Sequence, residues 1–305
     1  MQTLYRSIGY AINPSKFLPR TLKSFLGKIT FNIVSLQMRR NILFQGKTIG
    51  YPVFCIVHWN APDYLILNVN QIRNLYPNSK IYILDNGSQQ QYIDTIKKDL
   101  NGYDNVTLFA ATPKHRKFIS KIGLDRLLYC HLNGLQFLLN FAAESGDQIA
   151  IFLDQDCILS SRIDSLLKKL NEDILLIGPK TGDLNLVHAS FMALQPIRIH
   201  QLFGKFSFFH EKTDGPEPYH GLSLKIQGKI LFLKTSRHEK IPALSAYSNE
   251  DQIFAWHAWY SSRTVGCSDE TSLDGTPISF LRKVREQSIE FLRKINEKNV
   301  SMYPK

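Results

Sequence analysis

From residue 51 onward, short apolar runs alternate with longer stretches of helical spacing. Tyr51-Pro52-Val53-Phe54-Cys55-Ile56-Val57 predicts a buried strand, since it is short, continuous and stopped by the polar cluster His58-Trp59-Asn60-Ala61-Pro62-Asp63. Tyr64 to Leu75 spaces Leu65, Val69, Ile72 and Leu75 at helical intervals, and Pro77 with Asn78 closes it. Lys80-Ile81-Tyr82-Ile83-Leu84 reads as a second strand, stopped by the turn-forming Asp85-Asn86-Gly87-Ser88. Strand, helix and strand in this order start a parallel sheet.

The alternation continues with a helix over 90–100, a strand over 106–110, an amphipathic helix from Ile119 to Ala143, and the most apolar strand, Ile149 to Leu153. Strands at 174–177 and 187–194 extend the core. Past residue 196 the pattern loosens into a segment rich in His, Phe, Gly and Pro, and 278–295 reads as a surface amphipathic helix. The expected fold is α/β with one main domain, a mixed, mostly parallel sheet flanked by helices. Its parts are a basic arm (1–50), a regular α/β half (51–195), a looser second half (196–275) and a C-terminal helix (276–305).

Composition narrows the class. The apolar share of 44% is that of a soluble chain. No window carries the 18 uncharged apolar residues of a spanning helix. Cys55, Cys130, Cys157 and Cys267 are too few and scattered for a disulfide framework or a zinc module, which fits a reducing, cytoplasmic location. Within the net charge of +11, residues 1–50 supply eight Lys or Arg and no acid. Such an arm suits an anionic membrane surface, nucleic acid, a targeting role, or simple packing on the domain. No RNP pattern, zinc finger or basic zipper points to nucleic acid as a partner.

Two acidic motifs stand where strands end. In Asp154-Gln155-Asp156 residues two apart share a side, so both carboxylates can face one site at the edge where open α/β sheets bind ligands. Paired carboxylates suit Mn²⁺ or Mg²⁺ bridging to a diphosphate; the plain alternative is an acidic turn. Asp85, with Asn86, ends the second strand on the same edge and is placed outside the core. It is either a turn and cap former or an acceptor for a base or ribose.

The series Val57-His58-Trp59-Asn60-Ala61-Pro62-Asp63, Leu84-Asp85-Asn86-Gly87-Ser88, Asn133-Gly134-Leu135 leading to Gly146-Asp147, and Phe152-Leu153-Asp154-Gln155-Asp156 resembles the donor-binding half of GT-A-fold glycosyltransferases. The likeness is to family 2 and its rhamnosyltransferase-like members, over about residues 52–160. It implies a GT-A-like, Rossmann-like sheet and a nucleotide-sugar donor contacted by Asn60, Asp85, Asn86 and Asp154. It also implies a divalent ion on Asp156, with Asp154 near the ribose or sugar. The first strand ends in His58-Trp59-Asn60 where the family more usually has Thr-Tyr-Asn.

Downstream, His220-Gly221-Leu222-Ser223-Leu224-Lys225 looks like the family's Gly-Leu-Ser-Leu-Arg segment. By that likeness His220, Gly221 and Ser223 face the acceptor and Lys225 the phosphates. Asn249-Glu250-Asp251 looks like the Glu-Asp pair that supplies the base in inverting members, Asp251 or Glu250 taking the acceptor proton. Its plain alternative is a helix start capped by Ser248 or Asn249. The resemblance also makes His257 a further metal ligand and Arg263 a partner of the leaving diphosphate; the alternative is an aromatic helix surface.

The expected activity is therefore metal-dependent, inverting transfer of a hexosyl or deoxyhexosyl group from a nucleotide sugar to a glycan or glycolipid acceptor, in polysaccharide biosynthesis. Two rivals stand beside it. One is a sugar-phosphate nucleotidyltransferase, which would want a Gly-rich basic loop after the first strand. The other is a non-catalytic, carbohydrate-binding or membrane-peripheral relative.

Overall fold

The computed structural model describes residues 35–36, 38–44, 51–111, 131–180, 186–203, 226–250, 252–259 and 277–302. Their strands are β1 (Ile42–Phe44), β2 (Val53–His58), β3 (Ile81–Asp85), β4 (Val106–Ala110), β5 (Ala150–Asp154), β6 (Cys157–Leu159), β7 (Leu176–Pro179), β8 (Phe191–Leu194), β9 (Ile230–Arg237), β10 (Leu244–Asn249) and β11 (Gln252–Ala258). They form one sheet in the order β1-β4-β3-β2-β5-β8-β7-β9-β10-β11-β6. The helices that bear on the site are α1 (Pro62–Leu75), α2 (Gln90–Leu100), α3 (His131–Glu144), α4 (Asp164–Leu167), α5 (Pro196–Phe203) and α6 (Ile278–Met302).

The sheet is mixed, as expected, but its parallel pairing is confined to β4-β3-β2-β5 and to β7 with β9. All other pairs are antiparallel. The parallel strands come from the βα units whose helical crossovers force that direction. Later strands return through turns and short connections, which favour antiparallel neighbours. β9 bends between two partners, its first half pairing with β7 and its second with β10.

In the parallel part successive side chains feed two cores, as a period of two requires. Val53, Cys55, Val57, Tyr82 and Leu84 pack with Leu135, Leu138, Leu139 and Ala142 of α3. Phe54, Ile56, Ile81 and Ile83 pack on the other face with Leu65, Val69 and Ile72 of α1 and Ile96 of α2. Burial on both faces explains why these strands read as continuous apolar runs rather than alternating ones. Each such side chain contributes roughly 1.5–3 kcal/mol.

Two contacts fix what surrounds the site. Gly134 lies where α3 presses on the end of β2, and a Cβ there would meet both methyls of Val57 at 2.8 Å. Gly134→Val is therefore expected to destabilise by about 1–3 kcal/mol through overpacking, read as a lower urea midpoint; an unchanged midpoint would show that β2 and α3 separate freely. On the opposite side α6 docks on α1, Ile289 and Leu292 packing with Ala61, Tyr64 and Leu67. One guanidinium nitrogen of Arg285 reaches both oxygens of Asp63, at 2.7 and 2.5 Å. The predicted surface helix is thus a docked one that braces the loop after β2. Of the predicted helix from Ile119, the described part begins at His131. Among the described residues no helix is long and apolar enough to cross a membrane. The basic arm up to residue 34 lies outside them.

Candidate active site

Three strands end level. Across the parallel ladders His58 pairs with Asp85 and Val57 with Asp154, so the turns after β2, β3 and β5 meet at one edge. The turn Asp154-Gln155-Asp156 is held from both sides. Asn68 of α1 donates its amide to the carbonyls of Asp154 and Cys157, at 3.2 and 2.9 Å. Gln155 points away from the site and clasps Trp59, accepting its N–H at 2.8 Å and donating to its carbonyl at 3.1 Å. The middle residue thus ties the acidic turn to the loop after β2, and the two aspartates are left on the other side.

β11 supplies the third group. It pairs antiparallel with β6, His257 opposite Cys157, and its Nε2 lies 3.4 Å from an oxygen of Asp156 and 3.7 Å from one of Asp154. One ligand atom from each of Asp154, Asp156 and His257 lies within 4.8 Å of the others. Two carboxylates and one imidazole form a donor set for a hard or borderline divalent cation.

Electrostatics agree with that use. Burial by itself would raise the Asp154 carboxyl, but His131, with its Nε2 3.0 Å away, and His257 and His188 hold it well below the usual range. It is a carboxylate at any ordinary pH. For His257, burial works against the charged form, yet Asp156 and then Asp154 raise its pKa overall. The carboxylates thus favour positive charge at this point, and a metal bound at Nε2 would take the place of a proton there.

The orientation of His257 is fixed by a directed chain of hydrogen bonds. The backbone N–H of Ser190 donates to His188 Nδ1 at 3.1 Å, so that nitrogen is an acceptor. The Ser190 hydroxyl, 2.8 Å away, then donates to it as well, which leaves Ser190 Oγ to accept from Tyr247, at 2.6 Å. The Tyr247 oxygen in turn accepts from His257 Nδ1–H at 2.9 Å. Nε2 is thereby the nitrogen offered to the carboxylates. Such outer partners commonly change metal affinity by 10–100-fold. Tyr247→Phe is expected to weaken Mn²⁺ binding by about tenfold, measured by titration calorimetry; an unchanged affinity would mean that packing alone orients the ring.

Asp85 sits differently from the sequence expectation, which put it outside the core. It is fully buried. His58 Nε2 accepts the Ala61 N–H at 3.1 Å, so its Nδ1 carries the proton and donates to Asp85 at 2.8 Å. The other Asp85 oxygen accepts the N–H groups of Gly87 and Ser88, at 3.1 and 3.0 Å, and the Ser88 hydroxyl also donates to the carboxylate. Asn60, at φ 52°, gives its N–H to Ser88 Oγ and accepts Gln89 N–H on its own side chain. Asn86 is buried in the same turn. His58 is thus a strut between two loops.

Glu250, one of the two base candidates, stands in a hairpin turn. The segment around it is the turn of a β-hairpin between β10 and β11, and not a helix start, and His257 lies in a strand, not a helix surface. Glu250 has φ 54° and a side chain 84% exposed. Extended chain at ~3.3 Å per residue puts it roughly 20 Å from His257. Asp251, Lys225, Arg263, His220, Gly221 and Ser223 lie outside the described residues.

Sequence reasoning missed His131, His188, Ser190 and Tyr247. His188 and Ser190 are two apart within the strand predicted over 187–194, a weak signal for a shared side. His131 gave none, because Asp154 is more than twenty positions away, and neither did Tyr247, which links Ser190 fifty-seven positions before it to His257 ten positions after it.

No known family model matches the chain, and no curated protein sequence matches it. Among solved structures it is similar to a galactosyltransferase LgtC in complex with donor and acceptor sugar analogues, at 9% identity and TM-score 0.44, over 77% of this chain and 96% of that one. It is also similar to the mannosyltransferase PcManGT of Pyrobaculum calidifontis in complex with GDP-Man and Mn²⁺, at 10% identity and TM-score 0.43, over 93% and 85%. A third is mouse xyloside xylosyltransferase 1 in its apo form, at 11% identity and TM-score 0.42, over 61% and 85%. At TM-scores below 0.5 these likenesses are partial, and no residue role is taken from them.

Proposed function

We propose that the chain is a divalent-metal-dependent glycosyltransferase of GT-A type that uses a nucleoside-diphosphate sugar. The observation that supports it is the gathering of Asp154, Asp156 and His257 at the edge where β2, β3 and β5 end together. That edge is where open α/β sheets take nucleotides. A cation held by these three residues, Mn²⁺ or Mg²⁺, would neutralise charge on the leaving diphosphate.

The chain's own groups do the rest. Asn68 and Gln155 fix the acidic turn against the loop after β2, so that the carboxylates need no reorganisation when donor arrives. Tyr247 and Ser190 keep His257 Nε2 directed at the same point. His131, 3.0 Å from Asp154 and a quarter exposed, lies beside the carboxylates as a hydrogen-bond partner at the mouth. Asn60 and Asn86 belong to the loops on the donor side, and Asp85 acts on donor through the shape it gives them. A glycan or glycolipid is the proposed acceptor, with hexosyl or deoxyhexosyl transfer, as in the family 2 and rhamnosyltransferase-like enzymes the sequence resembles. An inverting course places the base at Asp251, since Glu250 is remote. Attachment to a membrane surface is assigned to residues 1–50.

A nucleotidyltransferase is less well supported, because the loop after β2 is His58-Trp59-Asn60-Ala61 and offers no Gly-rich basic cradle. The test is thermal stabilisation by a panel of nucleoside-diphosphate sugars with and without Mn²⁺. One or more of them should raise the unfolding temperature only when Mn²⁺ is present, as ligand binding to the native state requires. No stabilisation by any of them in Mn²⁺ or Mg²⁺ would refute the donor assignment.

A further inference from the structure

On β11 neighbouring side chains point to opposite faces of the sheet. His257 faces the metal cluster, so Trp256 faces away from it, toward α6. There it stands over a concave surface of about 380 Å³ lined by Arg237, His238, Glu239, Lys240 and Trp256. None of these residues belongs to the proposed donor site.

The arrangement is rigid where a ligand would need it to be. Trp256 is half-buried, propped edge-on by Phe291 with ring centres 4.9 Å apart, and His238 lies against both rings, at 5.6 and 4.9 Å. The N–H groups of Lys240 and Ile241 both donate to His238 Nδ1, each at 3.1 Å. His238 therefore keeps an acceptor inward, and its other ring nitrogen is the donor in the neutral form. The turn from β9 to β10 is pinned by the same two bonds. Arg237, Glu239 and Lys240 are exposed, and among the described residues neither cation has a salt-bridge partner within 4.0 Å.

We infer that this cleft is a saccharide subsite for a sugar unit bearing a negative charge, a carboxylate or a phosphate. The indole supplies a flat apolar platform for the C–H face of a pyranose ring. Arg237 and Lys240 supply two charges that, among the described residues, have no salt-bridge partner to give up, and charge-assisted hydrogen bonds are stronger than neutral ones. Glu239 would repel a bare anion but accepts hydrogen bonds from sugar hydroxyls. Platform, cations and acceptor together match an acidic sugar better than an inorganic ion or a neutral sugar. Since it backs onto the same strand that carries His257, the subsite would hold a distant unit of a long acidic glycan rather than the reacting one. Binding here needs neither donor nor metal, so the inference stands or falls apart from the proposed activity.

Titration calorimetry of the full chain in EDTA tests it, with tetragalacturonic acid, maltotetraose and sodium phosphate as probes. The acidic tetrasaccharide should bind and the other two at least about tenfold more weakly. Arg237→Gln and Lys240→Gln, both at exposed positions, should each weaken the acidic probe by several-fold and together by about tenfold or more. Quenching of tryptophan emission by that probe should be reduced in Trp256→Phe. To separate the two charge sources, glucuronic acid and glucose 6-phosphate are compared, and binding of either satisfies the inference. Equal binding of phosphate alone would make the cleft a plain anion surface and overturn it. So would equal binding of maltotetraose, an unaffected double variant, or no binding of any acidic sugar.

Discussion

Asp156→Ala is expected to abolish Mn²⁺ binding, with a loss of about 100-fold or more in affinity, while the fold survives. Asp156 lies at the turn beyond β5, and its backbone carbonyl still accepts the Ala258 N–H that joins the turn to β11. The side chain is spent on His257, 3.4 Å away, rather than on the core. Without it the site keeps one carboxylate and one imidazole, too few to hold a cation that must also bind phosphate oxygens. Calorimetric titration with Mn²⁺ reads the affinity, and Mn²⁺-dependent donor hydrolysis should vanish with it. Glu250→Gln is the control: an exposed residue at a hairpin tip should change neither. Tight Mn²⁺ binding by a folded Asp156→Ala protein would remove the cluster as the metal site.

For Asp85→Ala the expected effect is on stability, a loss of several kcal/mol, since each buried donor left without its acceptor costs about 1–3 kcal/mol. The substitution strands the His58 Nδ1–H, the Ser88 hydroxyl and the N–H groups of Gly87 and Ser88 in a buried turn. Asp85→Asn should cost less, because an amide oxygen can still accept two of these donors. Urea unfolding followed by circular dichroism gives both values. If Asp85→Ala unfolds at the wild-type midpoint but loses nucleotide affinity, the residue contacts ligand directly and the inward network is dispensable.

The parallel core was legible because it is local. Strand runs such as Val53 to Val57 are apolar throughout when both faces are covered, and the helices between them announce themselves by their own spacing. The Asp154-Gln155-Asp156 turn was legible for a related reason, as alternation in extended chain puts its two acids on one side. His257 entered only through family resemblance, and its spacing from the aspartates said nothing of distance.

The sequence by itself determined the βα order, the single sheet edge on which Asp85 and the acidic turn stand, and the pair of carboxylates at that edge. Tertiary structure alone decided the remainder. The hairpin of β10 and β11 looked like a helix start because acids near Asn249 suit either a cap or a turn, and only pairing with β9 and β6 selects the strand form. That same pairing puts Glu250 at the turn of the hairpin and His257 far along β11, beside the acidic turn. Asp85 was placed outside the core because it ends a strand at the ligand edge, and a carboxylate is costly to bury alone. Its burial follows from His58, Ser88 and two backbone N–H groups converging on it, partners set by the register of β2 against β3 and by the turn that follows.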